Sequence, residues 1–517
     1  MSSASPIPSK ANLQGLIVRG YTHPYSSHLL YSFGAQAQAA LFFKALCDRG
    51  IQDAQDWGAA KPRTILNLGL TYAGLSCPSV LKAGVFTAAD LTAFPATFQN
   101  GPASDGSQAS LADVGTSDPS QWWYQNFQTT DLHCIVHAYG LTAADLTEVV
   151  EYVAAAARAA GVTELFAARD QKSRLTQCQL PVDEIHFGYR DGISEPALQW
   201  RTAGTPGPPD QGDLNNFLIG YPEYALVGPG PTSPGPAANF AKDGCYNAFR
   251  LLYQDVAKFN TLIESQGPDK VEWTAAKLVG RWRNGSPLML SPDEPSPATQ
   301  DAEDFLYYTP APSNPADAGN TSKCPFSAHT RVANPRDQAL TTIEGKTPVR
   351  IIRRGVPYGA PLPAGAPDDG VDRGLVGLFL CGNLTSQFER ISSWMNVNDF
   401  SPVFPPPRSR TYPQDALLGN RVSSSTGPSI NTDFLVPLPT AAGPCPVTKL
   451  TNLPELLITR GAAYCLLPSI SAIRQLAGLP PLPALLRAAN ADTQFGHPRK
   501  PRPLLPLEND HVATSHY

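Results

Sequence analysis

The stretch HFGYRDGISEPAL, residues 186–198, sets one carboxylate, Asp191, between Gly188 and Gly192, with Arg190 beside it. Two further stretches carry chemistry of comparable interest. CPFSAHTRVANPRD (324–337) holds His329, and RIIRRGVPYG (350–359) holds Arg353 and Arg354. Singly, each has an ordinary reading. A glycine-framed Asp bonds its own backbone in a turn, a lone His is a satisfied structural residue, and an arginine pair on a strand makes surface ion pairs. Adjacent strand residues point to opposite faces, so at most one of Arg353 and Arg354 faces a given pocket. Together, the three residue types can hold a metal, move a proton and stabilise charge that develops in a reaction. The same set would also serve a hydrolase, but the chain has no HExxH, no Walker loop and no GxSxG, and one convincing His makes a poor zinc site.

The elements that must position these groups read as α+β. LQGLIVRGY (Leu13–Tyr21) reads as a strand, GAQAQAALFFKALCDRG (Gly34–Gly50) as a helix closed by glycine, TILNLGLTYAGL (Thr64–Leu75) as a strand and turn, and DLHCIVHAYG (Asp131–Gly140) as a strand. Thr142 and Asp145 form a capping pair ahead of Leu146, Val149, Val150, Val153 and Ala157 on one helical face, with Gly161 as the stop. VTELFAARD (Val162–Asp170) is a further strand. This β-α-β-(α)-β-α-β order is ferredoxin-like: an antiparallel sheet with helices on one side. A Pro/Gly-rich bridge covers 201–239, and a similar order restarts after it. It comprises strands at 244–256, 349–359, 374–383 and 462–469 and helices at 257–266, 274–283 and 386–395. The expected organisation is a flexible lead (1–10), a first ferredoxin-like half with the Asp191 motif (11–220), a second half with His329 and Arg353 (240–490), and a polar tail (491–517). Long loops at 284–325 and 400–450 are of the kind that cover a site.

Composition narrows the partners. The chain has 517 residues, 42% hydrophobic and 16% charged, with 52 prolines, 41 glycines and a net charge of -5. That is globular, long enough for two units, and disfavours nucleic acid; HPRKPRP (497–503) reads as a solvated tail. Nine dispersed cysteines without CxxC suggest reduced, buried thiols and a reducing compartment, and the lack of CxxCH argues against covalent haem. With no signal-peptide pattern at the start and no long apolar run, the expectation is a cytoplasmic protein without a membrane partner.

Six pieces, in order between Leu13 and Gly359 within a resemblance that spans about Leu13 to Ser469, resemble the dye-decolourising peroxidase family: LQGLIVRGY, NLGLTYAGL, the GxxDG of GYRDGISEP, KLVGRWRNGSPL, CPFSAHTRVANPR and RIIRRGVPYG. The resemblance implies one non-covalent haem b per chain, with His329 as its proximal iron ligand. It implies Asp191 as the distal acid–base group and Arg353 as the distal arginine, leaving Arg354 ion-paired on the other face. It implies Arg336 as a haem-propionate contact, and Leu378 and Leu380 on the strand that borders the distal side. Position 380 is often aromatic in relatives, and core packing is the alternative for both leucines. The partners implied are hydrogen peroxide and bulky aromatic donors oxidised one electron at a time. A carboxylate partner for the proximal imidazole is expected, Glu389 or Asp399. Trp394 and Tyr358 are candidate radical carriers, or else ordinary buried aromatics. An Asp with an ordinary pKa near ~3.9 works at lower pH than an imidazole, so an acidic activity optimum is expected. Two other classes stay open: a haem-handling protein without peroxidase activity, and a cofactor-free ferredoxin-like dimer.

Overall fold

The computed structural model describes residues 7–58, 60–181, 184–196, 198–200, 213–221, 231, 233–307, 322–337, 349–396, 415–420, 432–437 and 447–483. Ten strands form one antiparallel sheet: β1 (Tyr25–Ser32), β2 (Thr64–Thr71), β3 (Cys134–Gly140), β4 (Thr163–Leu165), β5 (Leu175–Thr176), β6 (Cys245–Gln254), β7 (Ile352–Arg353), β8 (Val356–Tyr358), β9 (Gly374–Cys381) and β12 (Leu457–Leu467). A separate pair is made by β10 (Phe434–Pro437) and β11 (Val447–Leu450). The spatial order is β4-β1-β3-β2-β12-β6-β9-β7, with β5 beside β1 and β8 beside β9.

The order contains two copies of one pattern. In the first, the fourth, first, third and second strands lie side by side. In the second, β12, β6, β9 and β7–β8 repeat that order, which is the ferredoxin-like arrangement twice over. The two patches are joined edge to edge, where Cys465 and Leu466 of β12 pair with Thr71 and Leu70 of β2.

Period-2 alternation assigns the two faces. On one face Cys134, Val136 and Ala138 of β3 pack with Phe42, Phe43 and Leu46 of the 39–49 helix and with Val149 and Val153 of the 143–159 helix. On the other, Ile135 and Tyr139 pack with Leu13, Leu16, Trp122, Trp123 and Phe217. Burial on both faces explains why the strands read as nearly continuous apolar runs. The 143–159 helix starts at the anticipated capping box, Thr142 with Asp145, and the chain turns at Gly161 with φ +64°.

Two expectations are corrected. Leu13–Tyr21 is not a strand: Gly15–Val18 forms one helical turn whose residues are all buried, and the first strand is Tyr25–Ser32. The apolar run drew the strand reading to the wrong segment. The lead also does not run to residue 10, because residues 8–10 are already buried.

Candidate active site

The loop that carries Asp191 is built by its glycines. Gly188 and Gly192 take φ +77° and +73°, values that cost a side-chain-bearing residue dearly. A Cβ on Gly188 would lie 2.4 Å from the Arg283 guanidinium, which itself donates to the Phe187 carbonyl. The frame therefore makes room for an arginine that clamps the turn. Arg190 donates its backbone N–H to Arg283 O at 3.0 Å, and its side chain pairs with Asp301 at 2.8 Å.

Arg353 reaches this loop from the sheet edge. Its Nη1 donates to Asp191 Oδ1 at 3.1 Å, and its Nη2 contacts Ser194 O at 3.4 Å. The two side chains are 39% and 44% exposed. Arg354 turns the other way, as alternation requires. It pairs with Glu195 at 2.9 Å and donates to the Leu16 carbonyl.

Register decides which neighbour borders Arg353. Arg353 lies opposite Phe379, and Ile352 opposite Leu380. Directly opposed antiparallel residues share a face, so Phe379 accompanies Arg353. Leu378 and Leu380 are wholly buried on the opposite face, among Ile352 and Val376. Leu378 and Leu380 thus pack in the core on the face of the strand away from Arg353, and the half-buried aromatic beside Arg353 is Phe379, stacked on Phe388 at 5.4 Å.

His329 opens a short helix, His329–Ala333. Its Nδ1 lies 2.8 Å from Asp415 Oδ2, and that Asp is 0% exposed. Asp415 Oδ1 accepts the backbone N–H groups of Leu417 and Leu418, each at 2.8 Å. The Asp415 turn is anchored to Met395 O and Ser327 O, both at 2.9 Å. A carboxylate held this firmly fixes the imidazole and directs Nε2 away from itself. Neither anticipated partner fills this role. Glu389 accepts from Tyr464 OH at 2.8 Å in the core, and Asp399 lies outside the described residues. Asp415 was missed because DALLGN matches no motif. Its only signal is an Asp ahead of free N–H groups, the pattern of a side chain bonding backbone two and three residues on.

Residues 279–307 tie the imidazole side to the carboxylate side. Thr330, next to His329, donates to Val279 O at 2.8 Å. Arg336 donates to Glu303 O at 2.6 Å and lies 3.9 Å from the centre of the Phe305 ring. The Glu303 carboxyl is bonded to Ser194, three residues past Asp191. Burial raises its pKa, against the opposing effects of Arg350, that Ser194 bond, Arg281 and Arg336. Arg281 is buried, donates to Gly285 O at 2.8 Å, and has its pKa lowered by burial.

Several groups here fit a haem. His329 Nε2 makes no bond to any described residue. Glu303 Oε1 and Asn334 Oδ1 are buried without a partner, and Arg336 and Arg350 supply positive charge beside them. An imidazole with one fixed nitrogen, cations suited to propionates, and aromatic Phe379 form a suitable donor set. Trp394 is buried against Phe326 and Val332 of the His329 segment, with Arg390 5.7 Å from its ring. Tyr358 is buried and donates to Asp372 at 3.2 Å.

No family model matches the chain. Individual relatives do. It is 28% identical over 439 residues to Peroxidase 2 of Mycetinis scorodonius, spanning 80% of this chain and 77% of that protein. It is 26% identical over 490 residues to the multifunctional dye peroxidase DyP2 of an Amycolatopsis species, spanning 90% and 95%. A fungal DyP-type peroxidase structure from Auricularia auricula-judae superposes with TM-score 0.70 over 92% of this chain and all of that one, at 21% identity. An ancestral D-type dye-decolourising peroxidase superposes with TM-score 0.67 at 25% identity, over 91% and 99%. Along most of its length, and on the same doubled sheet, the chain is similar to dye-decolourising peroxidases.

Proposed function

We propose that the chain binds one non-covalent haem b through His329 and uses hydrogen peroxide to oxidise bulky aromatic donors, phenols and dyes, in one-electron steps. The observation that carries the reading is the Arg353–Asp191 contact at 3.1 Å, made across 162 residues of sequence. When bound, the haem supplies the iron at which peroxide is reduced. The protein's own groups do the rest. Asp191 accepts a proton from peroxide and returns it to the departing oxygen, and Arg353 stabilises the negative charge that develops between them. Asp415 accepts from His329 Nδ1–H, which strengthens donation from Nε2. Arg336 and Arg350 hold the propionates. Phe379 shapes the peroxide side, the role first sought at Leu378 and Leu380. The eight described cysteines are all free thiols, which supports a reducing compartment. No helix among the described residues is long and apolar enough to cross a membrane.

The test is a pair of variants in haem-loaded protein. Asp191→Asn and Arg353→Leu are expected to keep the haem spectrum and lose dye oxidation. Undiminished dye oxidation in both would remove these residues from the reaction.

A further inference from the structure

Ala112 ends the Asp105–Leu111 helix in the left-handed region, at φ +54° and ψ +37°. Glycine usually takes that place, and an alanine stays there only where its surroundings over-determine it. One of those surroundings lies 308 residues further along the chain. The Asn420 side-chain amide has two hydrogens to give, and Nδ2 donates to Ala112 O at 2.7 Å and to Val114 O at 3.1 Å.

Asp113, between those two carbonyls, is buried in a knot of its own. Its carboxylate accepts from Arg250 Nη1 and Nη2 at 2.9 and 2.6 Å and from Thr459 Oγ1 at 2.9 Å. Arg250 lies on β6 and Thr459 on β12, which are neighbours in the sheet. Ser117 Oγ accepts the Thr459 backbone N–H at 3.0 Å. The 112–117 segment is thus fixed to the sheet, and Asn420 is fixed to that segment.

Asn420 closes the turn that opens at Asp415. Its backbone N–H donates to Asn396 Oδ1 at 2.9 Å, next to the Met395 carbonyl that takes the Asp415 N–H. The 390–396 helix that carries both acceptors packs against the Asp105–Leu111 helix and against the His329 helix. Ala416 and Leu417, inside the turn, share an apolar cluster with Phe187 and Tyr189 of the Asp191 loop.

We propose that Asn420 is a positioning residue for His329. By clamping the far end of the Asp415 turn to the Asp113–Arg250 knot, it keeps the Asp415 carboxylate on the imidazole and so sets how strongly Nε2 donates to iron. The proposal rests on the peroxidase reading, which supplies the haem. Asp415 Oδ1 is held by Leu417 and Leu418 of the same turn, so slack at the far end moves the carboxylate. A hydrogen bond weakens steeply once its angle is lost. Without Asn420, the near end alone, at Met395 and Ser327, holds the turn.

The experiment compares Asn420→Ala and Asn420→Asp with the parent chain. The second keeps the side chain's size but turns a carboxylate toward two carbonyl oxygens. Haem affinity is read by titration at the Soret band, the reduction potential of the bound iron by redox titration, and the melting temperature on haem-free protein. Affinity should fall about threefold or more in both variants. The potential should rise, because a less firmly held imidazole donates less and favours ferrous iron. In an Asp415→Asn background, Asn420→Ala should add little to either effect, since both residues act through one contact. A lower melting temperature with affinity and potential unchanged, or effects that simply add to those of Asp415→Asn, overturns the proposal and leaves the peroxidase reading standing. Failure of the parent chain to take up haem overturns both.

Discussion

Asp415 holds His329 from beneath: the two are 2.8 Å apart, and the carboxylate is wholly buried with its second oxygen on two backbone N–H groups. This makes the imidazole's orientation a property of the fold, set before any ligand arrives. His329→Ala is expected to abolish haem loading. Asp415→Asn should fold and load haem with affinity reduced about 10–100-fold, the usual cost of losing such a partner. Haem titration followed at the Soret band decides it, and unchanged affinity in Asp415→Asn would reduce the contact to packing.

The distal pair should act on rate. Asp191→Asn is expected to slow the reaction with peroxide by about 10²–10⁴-fold, the range for loss of a positioned acid–base group. Stopped-flow spectra of the haem-loaded variant measure this directly. A rate equal to that of the parent chain would assign the proton transfer to another group.

Leu380 and Phe379 are neighbours with opposite consequences. Leu380 is wholly buried in the core, so Leu380→Ala should cost about 2–5 kcal/mol of stability and leave the haem spectrum alone. Phe379→Ala should disturb the spectrum and the peroxide reaction. The reverse pattern would mean that the strand presents its other face to the cofactor.

Acid stability has a source of its own. His28 and His137 are fully buried with Nδ1 atoms 2.9 Å apart. Burial lowers the His28 pKa to about 3, and lowers that of His137 too, with its neighbour adding to the effect. Unfolding exposes both imidazoles, whose ordinary pKa is near ~6.5. Below that value the unfolded chain binds more protons than the folded one. Stability should therefore be flat above pH ~6.5 and fall toward pH 3, by up to about 1.4 kcal/mol per pH unit for each histidine. Melting temperatures across this range test it, and a flat profile would show that the pair is solvated or already protonated. The expected acidic activity optimum would then be cut off by stability on its low side.

Much of this was legible in the chain. The capping box at Thr142, the glycine frame of Asp191 and the opposed faces of Arg353 and Arg354 follow from local rules, and the structure contains all three. What sequence could not supply was register and long-range contact. Leu378 and Leu380 lie on the opposite face from Phe379, and alternation does not say which set faces which side until a partner strand is known. The first strand was hidden because YSSHLLYS is polar, while the apolar LQGLIV beside it looked more strand-like. Asp415 lies 86 residues beyond His329, and no spacing rule connects them.

The measurement that bears most directly on the whole account is an absorption spectrum of the purified, haem-supplied protein before and after one equivalent of hydrogen peroxide. The account predicts a Soret band that requires His329, shifts with peroxide, and returns when an aromatic donor is added. A protein that takes up no haem, or one whose Soret band ignores peroxide, would contradict it.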